Sequence, residues 1–151
     1  MNKFLRLITF IFLCESAGLI GSIFTFSSVS TWYPTLIKPF FTPPSWIFGP
    51  VWTIMYLFMG ISLYLVWGKK KTDLKWFWLQ LILNSFWSLV FFGLKNPGLA
   101  FVVIIFLLTS IFLTIKTLSK INKTAAFLLY PYLAWVSFAS VLNLFIVLLN
   151  R

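Results

Sequence analysis

The side chains in this sequence that could do chemistry are few and largely of one kind. There is no histidine, which removes the commonest general base, haem ligand and metal ligand. The only carboxylates are Glu15 and Asp73, too few for paired-carboxylate catalysis. Cys14 is the one cysteine, which excludes an intrachain disulfide and a thiolate cluster. No catalytic residue, metal site or resident cofactor is expected. What the chain has in quantity is aromatic side chains, 21% of its residues, with eight tryptophans among them. Aromatic groups with a few amides and hydroxyls between them do not move protons. They stack on flat apolar molecules and offer those molecules isolated hydrogen bonds.

Spacing groups these residues. Gln80, Asn84 and Ser88 follow one another at i, i+4 and i+8, which stacks them on one helical face. Polar groups do not face lipid cheaply, so this stripe points into a bundle. It is either the hydrogen-bonding edge of a ligand cavity or glue between helices, at about 0.6 kcal/mol per bond; for Gln80 and Ser88 glue is the favoured reading, and for Asn84 the two are evenly matched. Trp52, Tyr56 and Gly60 form a second stripe, with Gly49 before it, and Pro131, Trp135 and Ala139 a third. A bulky aromatic followed one turn later by a small residue leaves a recess beside a flat wall, suited to a planar guest. The competing reading is the aromatic belt of a membrane interface; it fits Trp67, Trp76 and Trp78, whereas Trp52 and Trp135 lie a turn inside their segments. Glu15, mid-segment in an apolar run, is either a proton-relay acid or a protonated carboxyl donating to a neighbouring helix. With no second intramembrane acid or base to pass a proton onward, the structural role is favoured.

The elements that position these residues are membrane spans. The chain of 151 residues is 61% hydrophobic and only 9% charged, with a mean hydropathy of +1.00, against roughly 45–50% apolar in soluble proteins. Crossing the hydrocarbon core takes about 20 apolar residues. Five stretches qualify, at about 5–26, 47–67, 76–94, 99–118 and 125–149. The expected fold is an all-α membrane bundle of five transmembrane helices, one domain over 1–151. The first stretch carries Glu15 and lacks a convincing cleavage site, so it reads as a span rather than a removable signal. Ala17 to Gly21 and Gly18 to Ser22 are small-xxx-small spacings that allow close helix contact, within the bundle or between protomers.

The loops set the orientation. Lys3, Arg6, Lys69, Lys70, Lys71, Lys75, Lys116, Lys120 and Lys123 fall on one side, and Lys38, Lys95 and Arg151 on the other. The positive-inside rule then makes the N-terminus cytoplasmic, with a plasma (inner) membrane as the simplest location. The net charge of +10 belongs to these loops between apolar runs, which argues against a nucleic-acid partner. The basic loop Lys69-Lys70-Lys71-Thr72-Asp73 and the turn Lys95-Asn96-Pro97-Gly98 are short. The first loop is long, aromatic and proline-rich, a composition that suits a lid on the bundle.

That first loop and the next span read Trp32-Tyr33-Pro34-Thr35-Leu36-Ile37-Lys38-Pro39, then Thr42-Pro43-Pro44-Ser45-Trp46-Ile47-Phe48-Gly49-Pro50-Val51-Trp52-Thr53. Later come Asn84-Ser85-Phe86-Trp87-Ser88, Phe91-Phe92-Gly93, Leu129-Tyr130-Pro131-Tyr132-Leu133-Ala134-Trp135, Phe138-Ala139 and Leu142-Asn143. In these motifs and their order the chain resembles the tryptophan-rich sensory protein family, which includes the mitochondrial translocator protein (peripheral benzodiazepine receptor). The resemblance implies a five-helix fold, frequently a homodimer, with the first loop covering a pocket for porphyrins, sterols or drug-like aromatics. It places ligand-binding roles on Trp32, Tyr33, Pro43, Trp52, Asn84, Trp135 and Ala139. Two positions depart from the family pattern. Phe41 stands where a tryptophan is common, and Leu144, followed by Phe145, stands where mammalian members carry a cholesterol-recognition tyrosine, a weak motif even when intact.

Three functions fit these residues. The first is a receptor or sensor of tetrapyrroles, metal-free porphyrin rather than haem because histidine is absent, stacked on Trp52 and Trp135 with Lys38 or indole and amide donors at its carboxylates. The second is a carrier of porphyrin, lipid or sterol-like metabolites, against which stands the lack of internal repeats and ion-coupling residues. The third is light-dependent porphyrin degradation through the tryptophans.

Overall fold

A computed structural model describes residues 2–69 and 73–151; Lys70, Lys71 and Thr72 of the basic loop lie outside the described residues. The helices are α1 (Lys3–Thr31), α2 (Phe48–Val66), α3 (Lys75–Ser88), α4 (Pro97–Ser119), α5 (Lys123–Phe127) and α6 (Tyr130–Leu149). Five stretches are long and apolar enough to cross a bilayer: Lys3–Thr31, Ser45–Val66, Lys75–Gly93, Pro97–Ser119 and Lys123–Leu149. The protein is an all-helical, five-span membrane bundle. Its outward faces carry Phe4, Phe12, Ile23, Phe26, Phe106 and Phe112, residues that only a lipid solvent leaves without penalty.

Three spans differ from a plain hydropathy reading, each for a local reason. The first runs to Thr31 instead of ending near residue 26, because its polar tail is satisfied both within the helix and against the third span. Thr31 Oγ1 donates to Ser27 O at 2.7 Å and Ser28 Oγ reaches across to Phe92 O at 2.8 Å. The third span ends in a π-helical turn, Leu89–Gly93, which buries Val90, Phe91 and Phe92 consecutively; an ordinary α-helix turns every third residue away. The fifth span is broken at Leu128–Leu129 and restarts at Tyr130. Pro131 sits in the first turn of α6, where its missing N–H is no loss.

Small residues let the spans close. A Cβ on Gly60 would stand 2.5 Å from Ile11 Cα, and one on Gly18 would run into the Tyr56 ring. Ser85 Oγ donates to Ala17 O at 2.7 Å. The small-residue run of α1 therefore packs inside the bundle, against α2 and α3. Helix α4 packs on α3 and α6, and α5 bridges α2 and α4. Ser62 Oγ, donating to Ala125 O at 2.8 Å, pins α5 to α2.

The buried side chains form two cores. One, around Cys14, Met59, Leu63, Leu107, Ile111 and Tyr132, fills the end of the bundle nearer the chain's N-terminus. The other, around Tyr33, Val90, Phe91, Phe92, Leu142 and Ile146, lies under the first loop.

Candidate functional site

Where the two cores meet, the packing leaves a cavity of about 250 Å³. Its floor is Tyr56, with Glu15 and Gly18 of α1 beside it, and its roof is Tyr33. Helix α2 supplies Phe48, Gly49, Trp52 and Thr53, the end of the third span supplies Trp87, Phe91 and Phe92, and α6 supplies Trp135, Ala139, Leu142 and Asn143. Leu19 and Ser22 of α1 and Gly49 and Thr53 of α2 line it while also being exposed on the outside of the bundle. The cavity therefore opens sideways between α1 and α2, toward the bilayer.

Its aromatic wall is continuous. Trp52 stacks on Tyr56 at 5.9 Å between centroids and meets Trp135 edge-on at 6.4 Å; Phe48 meets Trp135 at 6.0 Å and Tyr33 at 6.4 Å. Edge-on and offset contacts of this kind hold rings at fixed angles. Two polar atoms of this aromatic wall, Tyr33 Oη and Trp135 Nε1, are buried and have no hydrogen-bond partner among the described residues. A buried donor left unpaired costs about 1–3 kcal/mol, so native structures rarely leave one without a partner.

Behind the wall the polar side chains are paired. Tyr56 Oη donates to Asn84 Oδ1, Asn84 Nδ2 donates to Tyr132 Oη at 2.7 Å, and Tyr132 Oη donates to Gln80 Oε1 at 2.8 Å. At the roof end Trp87 Nε1 donates to Asn143 Oδ1 at 3.1 Å, and Asn143 Nδ2 to Pro97 O at 2.8 Å. These two clamps fix the faces of Tyr56 and Trp87 that the cavity sees.

The first loop is held down as a cover. Asn150 accepts from Ile37 N at 2.9 Å and donates to Ile37 O at 2.8 Å. Phe41 packs edge-on against Phe138 and Phe145, at 6.2 and 5.4 Å. Lys38 Nζ donates to Tyr33 O and Leu36 O, both at 2.9 Å, and lies 4.8 Å from the Tyr33 ring centroid. The Lys38 ammonium is thus engaged in holding the turn that carries Tyr33, not turned toward the cavity. Burial pushes the Tyr33 hydroxyl up to about 12, so it remains a donor at any physiological pH.

Of the seven residues singled out from the sequence, Tyr33, Trp52, Trp135 and Ala139 converge on the cavity. Asn84 stands one layer behind it, on Tyr56. Trp32 packs on Phe91 at 5.7 Å and faces a separate shallow groove with Lys95 and Asn150. Pro43 is half-buried in the loop and off the cavity wall. Glu15 makes no hydrogen bond or ion pair to any described residue, so the donation to a neighbouring helix anticipated from its position is not made. Phe91 and Phe92 were outside the anticipated site; they reach the cavity wall from the π-helical turn that ends the third span. Among the described residues no three His, Cys, Asp or Glu side chains gather as metal ligands.

Comparison with known proteins gives a consistent picture. The family model for the TspO/MBR family matches residues 10–149. The chain is 47% identical over 153 residues to the tryptophan-rich protein TspO of Archaeoglobus fulgidus, covering 97% of each chain. It is 37% identical over 131 residues to the human translocator protein, covering 82% of this chain and 78% of that one. It is 29% identical over 138 residues to the tryptophan-rich sensory protein of Cereibacter sphaeroides, covering 90% and 85%.

Proposed function

The chain belongs to the TspO/MBR family of integral membrane proteins, and on that premise we propose that it is a receptor or sensor for tetrapyrroles and related flat aromatic molecules, held in the cavity beneath the first loop. The observation that carries this reading is the pair of buried, unpartnered donors, Tyr33 Oη and Trp135 Nε1, set in an otherwise aromatic wall. A porphyrin supplies what they lack: a flat ring system to lie against Trp52, Trp135 and Phe48, and peripheral carboxylates or carbonyls to accept from the two donors.

The size of the cavity refines the pose. About 250 Å³ is just under the roughly 300–1,000 Å³ of pockets that enclose a drug-sized ligand. A whole porphyrin would therefore put one edge inside and leave the other in the opening between α1 and α2. With no histidine in the chain, metal-free porphyrin is preferred to haem. The sideways opening also gives the carrier reading some support, since lipid-soluble cargo could exchange with the bilayer there. Light-driven degradation rests on the proximity of Trp52 and Trp135 and needs a defined product to separate it from photodamage.

The orientation belongs to the same proposal: the lysine-rich loops and the N-terminus at the cytoplasmic face, of a plasma (inner) membrane, and the aromatic loop outside. So does the homodimer that the family resemblance implies, which mass measurement in nanodiscs would test.

The deciding experiment is a dark titration of nanodisc-embedded protein with protoporphyrin IX, read by tryptophan quenching, beside a Trp52→Phe/Trp135→Phe double variant. Saturable one-to-one quenching, clearly weaker in the variant, supports the site. Unsaturable quenching, or equal quenching in both proteins, means that porphyrin only partitions into lipid, and the reading fails.

A further inference from the structure

Glu15 lines the floor of the cavity, half-buried in the middle of a membrane span, with no hydrogen-bond or salt-bridge partner among the described residues. An intramembrane carboxyl of this kind is expensive unless it is neutralised or paired, and the buried amide and hydroxyl groups of the network behind Tyr56 are already committed. Tyr56 donates its hydroxyl to Asn84, and Asn84 and Gln80 spend theirs on Tyr132. Ser16 and Ser22 turn back onto carbonyls of their own helix, Leu13 O and Leu19 O, each at 2.7 Å. Among the described residues none bonds or pairs with Glu15.

The cavity is thereby polar at two ends and of opposite kinds. At the roof and on the α6 wall stand two orphan donors, Tyr33 Oη and Trp135 Nε1; at the floor stands one unclaimed acceptor. Between them Trp52 stacks on Tyr56, and Tyr56 lies against Gly18. Along the bundle axis Glu15 is offset from Trp52 by four residues of α2 and three of α1, an axial rise of about 10 Å at 1.5 Å per residue. We propose that Glu15 determines specificity within this site. It selects guests that carry a protonated amine, or a comparable strong N–H donor, a few atoms from the face of an aromatic ring seated on Trp52. The inference rests on the cavity being a ligand site, as proposed above. It adds a ligand class that the aromatic wall alone does not distinguish: an amphipathic aromatic cation, entering from the bilayer with its ring against the tryptophans and its ammonium on the carboxylate.

When the ammonium meets the carboxyl, the proton that neutralised the acid is released to water, and the ammonium and the resulting carboxylate compensate each other. Placed together at the floor they form a charge-assisted hydrogen bond in an apolar setting, whereas a neutral guest leaves the carboxyl as it is. The discrimination should be about tenfold or more, the factor that a hydrogen bond to a charged group contributes.

The test is a matched pair of probes, 2-(2-naphthyl)ethylamine and its N-acetyl derivative, titrated calorimetrically into nanodisc-embedded protein with empty nanodiscs subtracted. The two share a ring and differ in the charge. Wild type should bind the amine at least about tenfold more tightly than the acetamide, and in Glu15→Gln, which keeps size and shape, that ratio should fall close to one. Glu15→Asp, one methylene shorter, should keep a reduced preference, which a variant damaged only in folding would not show. Equal affinities in wild type, or a preference that survives Glu15→Gln, overturn the role of Glu15. Protoporphyrin titrations on the same samples separate the two levels. Wild type that takes up porphyrin without preferring the amine loses only this inference. Wild type that binds neither porphyrin nor naphthyl probe refutes the cavity as a ligand site, and this inference with it.

Discussion

Replacing Asn84 by leucine, nearly the same size and without polar atoms, separates a residue that touches the ligand from one that shapes the wall. The side chain accepts from Tyr56 and donates to Tyr132 at 2.7 Å, and it is almost fully buried. The substitution removes two interhelical hydrogen bonds, each worth about 0.6 kcal/mol in a membrane bundle. It also leaves the Tyr56 hydroxyl without its acceptor, a further loss at the low end of the roughly 1–3 kcal/mol of an orphaned buried donor. Tyr132 keeps Gln80 as its acceptor at 2.8 Å, so no second orphan donor arises. Together these amount to a destabilisation of about 2 kcal/mol, readable as a shift in unfolding midpoint in mixed micelles. Tyr56→Phe should lose less, because the Asn84 amide keeps its donation to Tyr132. The double variant should be less destabilised than the two single effects combined, since the orphaned hydroxyl has gone; such non-additivity is what a shared network produces. Porphyrin affinity should change only modestly in Asn84→Leu, because the cavity wall is Tyr56 and not Asn84. A variant of wild-type stability that no longer binds porphyrin would refute this reasoning and return Asn84 to the ligand.

Four further outcomes are expected. Asn150→Ala removes both hydrogen bonds to the Ile37 backbone and should release bound porphyrin about fivefold faster in a stopped-flow chase, if each exposed bond is worth about 0.5 kcal/mol; an unchanged off-rate would mean that the loop does not gate the cavity. Gly60→Val sets a branched side chain where a single Cβ already lies 2.5 Å from Ile11 Cα, and should lower stability by about 1–3 kcal/mol or more, as overpacking does, in the same micelle assay. Tyr33→Phe should weaken porphyrin binding by the same factor at about pH 6 and about pH 9, because a phenol raised to about 12 is neutral at both. Cys14 is fully buried, so a cysteine introduced by Ser45→Cys or Ser119→Cys is the one accessible thiol; an impermeant maleimide should label the first from outside intact cells and the second only after permeabilisation.

The parts of this fold that were legible in the sequence are those written in length and composition. A run of about twenty apolar residues specifies a span because the bilayer has a fixed thickness, and all five spans appear where such runs stand. The small-residue run from Ala17 to Gly21 announced close contact but not its partner. Which neighbour it meets depends on how five helices share a ring, and the answer, Tyr56 and Ser85, is a tertiary one. The π turn at Leu89–Gly93 was invisible for a different reason. One extra residue in a helical turn leaves no compositional trace, and Phe91 and Phe92 of the cavity wall both lie in that turn. Asn84 shows the same limit: its spacing put it on an inward face, and facing inward is common to a ligand contact and to a helix clamp.

The division of the polar groups carries the functional argument. In water a protein can leave a hydroxyl or an amide unpaired near its surface, because solvent completes it. In hydrocarbon nothing does, so the pairing of polar groups within a bundle is informative. Here the amides of Asn84, Asn143 and Gln80 and the hydroxyls of Ser28, Ser62 and Ser85 are all matched across helices. Against that background Tyr33 Oη, Trp135 Nε1 and Glu15 stand out, and all three residues line one cavity. That the bundle pairs its other buried polar groups across helices, and brings these three together at one aromatic cavity, is the reason the proposed ligand site is placed there and not elsewhere in the fold.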